Sequence, residues 1–196
     1  EIEKLSFKEQ YLRGLCKLAH IEDCVEQWQH RAEQDIGLTE YLGLTGEEHK
    51  TFLCGGRDAL AALLEPQGRK QRFVLYQLQL DEENAIPFAF KDITALKAAG
   101  YEQPPAAMYY VAGSGEIYCP AEESDDTLLK RLFADCRERL PEGCRGRPMA
   151  VSDVVELNHG AKRAYYYVSG QDQFRQVKFS PMLAKKEIPE KTQERF

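Results

Sequence analysis

The sequence contains no run of about 20 apolar residues, which is the length that a membrane-spanning helix requires. No secretory signal is visible, and neither an internal repeat nor a low-complexity segment occurs. Hydrophobic residues make up 43% of the chain and charged residues 30%, which is typical of a globular domain and not of a disordered chain. We therefore predict a cytoplasmic protein that has no membrane partner. Because the chain begins with Glu1 and not with Met, we expect it to be a piece of a longer protein.

Histidine is scarce, which limits the catalytic sites that the chain can build. Ser152 and Asp153 could belong to a hydrolytic triad, but the sequence ties no histidine to them, so one would have to arrive through folding. Asp153 is more typical of a residue that fixes the turn before a strand by accepting backbone amides. We therefore predict no catalytic residue and lean towards a protein that is not an enzyme, although an enzyme with a composite site stays open. The histidines are His20, His30, His49 and His159.

The cysteines give one metal-like pattern. Cys16, His20 and Cys24 are spaced four residues apart, so one continuous helix would place them on one face, and both residue types can bind zinc. The pattern has no well-placed fourth ligand, so we predict no metal and no cofactor. We interpret the scattered cysteines as free thiols in a reducing compartment and not as disulfides. They are Cys16, Cys24, Cys54, Cys119, Cys136 and Cys144.

Acidic charge is concentrated in the first third of the chain. Residues 1–66 hold 13 of the 32 acidic residues but only 7 of the 26 lysines and arginines, which leaves 19 of each for residues 67–196. A surface that binds nucleic acid through its phosphates needs clustered basic residues. The acidic third is therefore not expected to bind nucleic acid, and a protein is the more plausible partner for it.

The first third of the chain has the pattern of several short helices. Ser6 with Glu9, and Thr45 with Glu48, match the capping box, in which two residues three apart satisfy each other's backbone amides. We predict a first helix to about Ala19 or His20, a second from Ile21 to about Glu33, and later helices separated by Gly55-Gly56 and closed by Pro66. At 196 residues the chain is long enough for one ordinary domain and an appendage. We assign 1–66 to an acidic helical subdomain and 67–71 to a linker.

The middle of the chain alternates strand and helix patterns. We predict a strand at 72–80, a helix at 92–99, a hairpin at 108–119 around Gly113-Ser114-Gly115, and a helix at 127–140. With the strands that follow, this order is typical of an α+β fold, in which a mixed or antiparallel sheet carries two helices on one face. The predicted domain covers residues 72–182, and a charged tail covers 183–196.

Three further strands are predicted at 149–157, 163–168 and 174–179. The neighbouring valines Val154 and Val155 break the alternation of the first, which indicates a bulge or a strand covered on both faces. Side chains alternate across a strand, so Tyr165 and Tyr167 should share one face and Tyr166 should lie on the other.

The stretch GCRGRPMAVSDVVEL at residues 143–157 is the most distinctive part of the chain, and Tyr166-Tyr167-Val168, Phe174, Val177 and Phe179 follow it. Together these residues resemble the YodL-like domain, over about residues 70–180. The chain departs from the family pattern at Ser169-Gly170, where Asp-Ser is usual. Members of the family resemble modules of conjugative elements, transposons and phages and have no established activity. The resemblance therefore implies a mobile-element setting more than a mechanism.

Two kinds of binding function follow from these patterns. The favoured hypothesis is a non-enzymatic accessory module of a mobile genetic element that acts by binding a macromolecule, with a protein as the expected partner. The alternative is a module that binds single-stranded nucleic acid by charge and by stacking on tyrosines of the sheet. The oligomeric state stays open. The candidate binding residues are Arg145, Arg147, Ser152, Asp153, Arg163, Tyr165 and Tyr167.

Overall fold

The computed structural model describes residues 4–32 and 35–187. The predicted end of the second helix at Glu33, and the part of the predicted charged tail from residue 188 onward, lie outside the described residues. Within the described ranges, no helix has both the length and the apolar character needed to cross a bilayer. The described residues form two compact units. The first contains those up to Lys70 together with Ile117–Glu123, and the second contains Gln71–Glu116 and those from Ser124 onward.

The first unit is built from short helices around an apolar core. The four α-helices are α1 (Phe7–Leu12), α2 (His20–Gln29), α3 (Leu38–Leu42) and α4 (Gly46–Leu64). Both predicted capping boxes are confirmed, at Ser6 before α1 and at Thr45 before α4. The core consists of Phe7, Ile21, Cys24, Leu42, Leu44, Leu60 and Leu64.

Glycines set two helix boundaries in this unit. The prediction that the first helix reaches Ala19 is wrong, because α1 ends at Leu12 and Gly14 follows with a φ of +67°. The predicted break at Gly55-Gly56 appears as a kink inside α4, where Gly56 has a φ of 73° and a ψ of −166°. Positive φ is a conformation that glycine adopts at little cost and that helices do not contain.

Glu48 is a buried carboxylate at the start of α4. Its oxygens accept hydrogen bonds from Lys8 Nζ at 2.8 and 3.0 Å, from the Thr45 amide at 3.0 Å and from Gln67 Nε2 at 3.4 Å. Burial alone would raise the pKa of Glu48, but the hydrogen bonds from Lys8, Thr45 and Gln67 outweigh burial and lower the pKa below its usual value. The carboxylate therefore stabilises this unit in its charged form.

The substitution Glu48→Gln is expected to lower the free energy of unfolding by about 1–3 kcal/mol at about pH 7, because it removes charge-assisted hydrogen bonds. A lowered folded-state pKa means that the contribution is present above the unfolded value of 4.5 and is lost as the pH falls through the folded value. Urea unfolding at about pH 7 and about pH 3 should therefore show a difference that shrinks in acid. Glu47→Gln, an exposed neighbour, is the control. A loss that is equal at both pH values would contradict this account.

The second unit is organised by a five-stranded antiparallel sheet of order β2-β1-β3-β4-β5. The strands are β1 (Gly68–Leu78), β2 (Tyr109–Pro120), β3 (Val154–His159), β4 (Lys162–Gly170) and β5 (Gln173–Val177). Two α-helices accompany it, α5 (Ile93–Ala98) and α6 (Asp125–Cys136). Short 3₁₀ helices of this unit lie at Glu83–Ala85, Ala106–Met108 and Pro181–Leu183, and one of the first unit lies at Glu65–Gln67. The α+β class and the helices before the sheet are confirmed.

The two helices lie on opposite faces of the sheet, so the prediction of one shared face is wrong. Leu96 of α5 packs in one core with Tyr76, Val154 and Tyr167. On the other face, Phe133 of α6 contacts Phe174, with 6.4 Å between the ring centroids. The expected alternation of the tyrosines is confirmed, because Tyr165 and Tyr167 lie on the α5 face and the Tyr166 hydroxyl donates to Asp125 of α6 at 2.5 Å.

Three strand predictions need correction. Residues 68–71, predicted as part of a linker, belong to β1. The hairpin predicted around Gly113-Ser114-Gly115 is instead one continuous strand, in which the glycines make room for neighbours: a Cβ at Gly115 would lie 2.8 Å from the Phe73 ring. The strand predicted to begin at residue 149 begins at Val154. Its first four residues are all buried, so this part of the strand is covered on both faces.

Candidate functional site

A buried ion pair lies where β3 begins. Arg147 Nη2 and Asp153 Oδ1 are 2.7 Å apart, and both side chains are almost completely buried. The second carboxylate oxygen of Asp153 accepts the Ala150 amide at 2.9 Å, and the Asp153 amide donates to the Ala150 carbonyl at 3.2 Å. The expectation that Asp153 fixes the turn before its strand is therefore confirmed.

Gln77 of β1 connects this ion pair to the rest of the sheet. Its Nε2 donates to the Arg147 carbonyl at 2.9 Å and to Asp153 Oδ2 at 3.1 Å. Its Oε1 accepts the Arg147 amide at 3.0 Å and the Tyr110 hydroxyl at 3.1 Å. One amide group therefore joins segments that are 70 or more residues apart in the chain.

The charges of this network are set by burial and by the ion pair together. Burial raises the pKa of Asp153, while Arg147, the Ala150 amide and Gln77 act in the opposite direction. Burial also raises the pKa of Tyr110 to about 12. A carboxylate enclosed in this way is not available to take a proton from a ligand, because its oxygens are already directed at internal donors.

The network also holds an aromatic residue at the surface. Ser152 and Phe90 have positive φ angles, 80° and 59°, and both are non-glycine residues. The Phe90 amide donates to Ser152 Oγ at 3.1 Å, and the Arg147 guanidinium lies 4.8 Å from the centroid of the Phe90 ring. The Tyr109 hydroxyl donates to the Ser152 carbonyl at 2.7 Å. Phe90 is nevertheless 49% exposed, and nearby in the chain Ile86 is 64% exposed.

The family comparison covers this part of the molecule. The model of the YodL-like domain matches residues 72–179, more than half of the 196-residue chain. The chain belongs to the YodL-like domain family. In this YodL-like domain, the residues of the GCRGRPMAVSDVVEL motif provide the ion pair, the turn before β3 and the Ser152 hydroxyl. No curated protein matches the chain. No solved structure matches it either.

The structure places the predicted binding residues in two groups. Four are buried inside the YodL-like domain, and Tyr167 uses its hydroxyl to donate to the Lys91 carbonyl at 2.8 Å. Of the others, Arg163 is exposed and lies 3.8 Å from Glu156, and Arg145 is exposed beside β2, where its amide donates to the Ala112 carbonyl. The buried four are Arg147, Ser152, Asp153 and Tyr167.

The other patterns weighed in the sequence do not converge on a site in the described ranges. The ring of His159 lies 3.1 Å from Asp125 and not beside Ser152 or Asp153. Within the described part of the chain, no group of three or more His, Cys, Asp or Glu residues is arranged as metal ligands. The six cysteines are free thiols.

Sequence reasoning missed Gln77, Tyr110 and Phe90. Gln77 carried a usable signal, because a glutamine within the otherwise apolar run FVLYQL of a buried strand requires a polar partner. Phe90 carried none. The residues that commonly adopt positive φ are Gly, Asn and Asp, and a bulky aromatic gives no indication of that conformation.

Proposed function

We propose that this YodL-like domain is a binding module that contacts a protein partner through Phe90 and Ile86. We further propose that it serves as an accessory module of a mobile genetic element and not as an enzyme. The setting rests on the family resemblance, and the mode of action rests on the geometry around Phe90.

The observation that carries the proposal is the half-exposed aromatic ring of Phe90 in a strained backbone conformation. Positive φ at a bulky residue costs on the order of 1–3 kcal/mol and persists only where the surroundings enforce it. Here the Ser152 hydroxyl and the Arg147 guanidinium both contact Phe90. Strain of this kind is found at ligand-contacting positions more than elsewhere. Aromatic residues, Phe among them, are also enriched in protein interfaces relative to the rest of the protein surface.

The family motif supports a scaffolding role for its polar residues. Arg147 and Asp153 bind each other, and Asp153 also accepts hydrogen bonds from Gln77 and the Ala150 amide. The polar groups of Arg147 and Asp153 are therefore bonded to partners inside the domain. The side chain exposed to solvent beside the motif is the aromatic ring of Phe90. A rigid support of this kind holds the Phe90 side chain in place and so lowers the entropic cost of binding.

The experiment compares capture of partners by three forms of the full chain. The test variant combines Phe90→Ala with Ile86→Ala, and the control is Met182→Ala, whose side chain is 93% exposed in the same unit. Lysate of the host cell, used with and without nuclease treatment, is the source of partners. We expect a protein that binds the wild type and the control with equal affinity and binds the double variant at least about tenfold more weakly.

Thermal unfolding checks that all three forms are folded. Retention of every captured protein by the double variant would contradict the proposal. Capture that disappears on nuclease treatment would instead favour nucleic acid. That alternative would have to use Arg145, Arg163 and Tyr165, since the other predicted residues are buried.

A further inference from the structure

The first unit contains a cavity of about 560 Å³ that the proposed function does not use. Its lining includes two tyrosines, three basic residues and one carboxylate. They are Tyr11, Tyr118, Lys17, Arg69, Lys70 and Glu65. We propose that this cavity binds a small aromatic anion of the nucleoside monophosphate class, with the ring against the tyrosines and the phosphate at the basic residues.

The charge of the lining is opposite to that of the surrounding chain. Residues 1–66 have an excess of six acidic residues, yet the cavity gathers three cations against Glu65. A concave surface on which one sign of charge predominates concentrates the field and attracts the opposite ion. An anion is therefore the ligand that this part of an acidic subdomain is suited to bind.

Tyr118 provides an aromatic wall. Its side chain is 51% exposed, and Lys70 Nζ lies 5.3 Å from the centroid of its ring. A Cβ at Gly14 would lie only 3.0 Å from the ring, so the glycine allows the ring to lie directly against the backbone. The ring is thereby positioned next to a cation, and bases stack on such aromatic side chains with little dependence on sequence.

Arg69 is held in place by the protein but keeps hydrogen-bonding capacity. Its Nη2 donates to the Glu123 carbonyl at 2.9 Å. Its Nε is buried and has no acceptor among the described residues. Buried polar groups are nearly always satisfied, and a guanidinium donates readily to phosphate oxygens. The Arg69 side chain lines the cavity, so its guanidinium contributes positive charge at the place where an anion would bind.

The cavity also has a suitable size. Sites for small molecules occupy about 300–1,000 Å³ and combine apolar walls with a few polar groups. The volume of about 560 Å³ lies in that range, and the leucines Leu12 and Leu18 complete the lining. The residues named here belong to the first unit, whereas Phe90 and Ile86 belong to the second. The two proposals can therefore fail separately.

The experiment is calorimetric titration of the full chain with AMP and with UMP. Adenosine, which lacks the anion, and inorganic phosphate, which lacks the ring, are the matched probes. We expect saturable binding of at least one nucleotide and binding of each partial probe that is at least about tenfold weaker. Lys17→Ala and Lys70→Ala should each weaken nucleotide binding by about tenfold, since each removes a cation at the cavity.

Lys50→Ala is the control, because Lys50 is exposed in the same unit and does not line the cavity. It should bind like the wild type, and thermal unfolding should show that all three variants remain folded. The proposal is overturned if neither nucleotide binds at millimolar concentration. It is also overturned if both cavity variants bind as tightly as Lys50→Ala, or if phosphate alone binds as tightly as the nucleotide.

Discussion

The substitution Asp153→Ala is expected to lower the free energy of unfolding by about 3–5 kcal/mol, because it leaves the Arg147 guanidinium buried without its counter-charge. The Arg147–Asp153 separation is 2.7 Å, and the two side chains are only 6% and 0% exposed, so water is a poor replacement for the lost partner. Gln77 and the Ala150 amide lose an acceptor in the same step. Urea unfolding followed by circular dichroism measures the change.

Two further variants separate the ion pair from general effects of mutation. Asp126→Ala removes an exposed carboxylate that pairs with Lys130 on the helix surface, and it should change stability by no more than about 0.5 kcal/mol. The double variant Arg147→Met with Asp153→Leu removes both charges and should lose less than Asp153→Ala, because no charge is left buried. If Asp153→Ala were as stable as Asp126→Ala, the ion pair would not be part of what holds this domain together.

The substitution Phe179→Ala is the second change expected to have a large effect, with a loss of about 3–5 kcal/mol. The Phe179 ring contacts three tyrosines, with centroid distances of 4.8 Å to Tyr76, 5.5 Å to Tyr109 and 5.7 Å to Tyr165. Removing it leaves a cavity between rings that the sheet holds in place. Thermal and urea unfolding of the full chain measure the loss.

Two variants serve as controls for Phe179→Ala: one keeps a large apolar side chain at this position, and the other removes a phenylalanine from an exposed position. Phe179→Leu keeps much of the buried volume and should lose less than Phe179→Ala. Phe90→Ala removes the same side chain from a half-exposed position and should lose about 1 kcal/mol or less, since little apolar surface is buried there. Equal losses for Phe179→Ala and Phe90→Ala would show that the three-tyrosine contact has no special weight.

Features that depend on neighbouring residues could be predicted from the sequence. The Ser6 and Thr45 caps depend on a partner three residues away, and both form as predicted. The opposite orientation of Tyr166 and Tyr167 follows from the geometry of any strand. The turn that Asp153 fixes is local in the same sense, since its acceptor and donor are three residues apart.

Features that depend on distant segments could not be predicted. Gly113-Ser114-Gly115 has the composition of a turn, yet these residues continue a strand, and the glycines are needed there because Cys144 and the Phe73 ring lie where a Cβ of Gly113 or Gly115 would be. The binding role predicted for Arg147 assumed an exposed side chain, and its partner Asp153 turned it inward. Composition carries no information on which segment will come to lie against a given residue.

The pairing of β1 with β3 has a consequence for the kinetics of folding. The Gln71 side chain donates from Nε2 to the Asn158 carbonyl across 87 residues, and Gln77 Nε2 donates to Asp153 across 76. Such long loops have to close, at a cost in entropy, before the contacts that stabilise the sheet can form. Sheets of this kind therefore fold slowly compared with helical units whose contacts are local. The hydrogen bonds of Gln77 that complete the Arg147–Asp153 network can form only once β1 and β3 have met. Interactions that form late slow unfolding more than they accelerate folding, so this network prolongs the lifetime of the folded state.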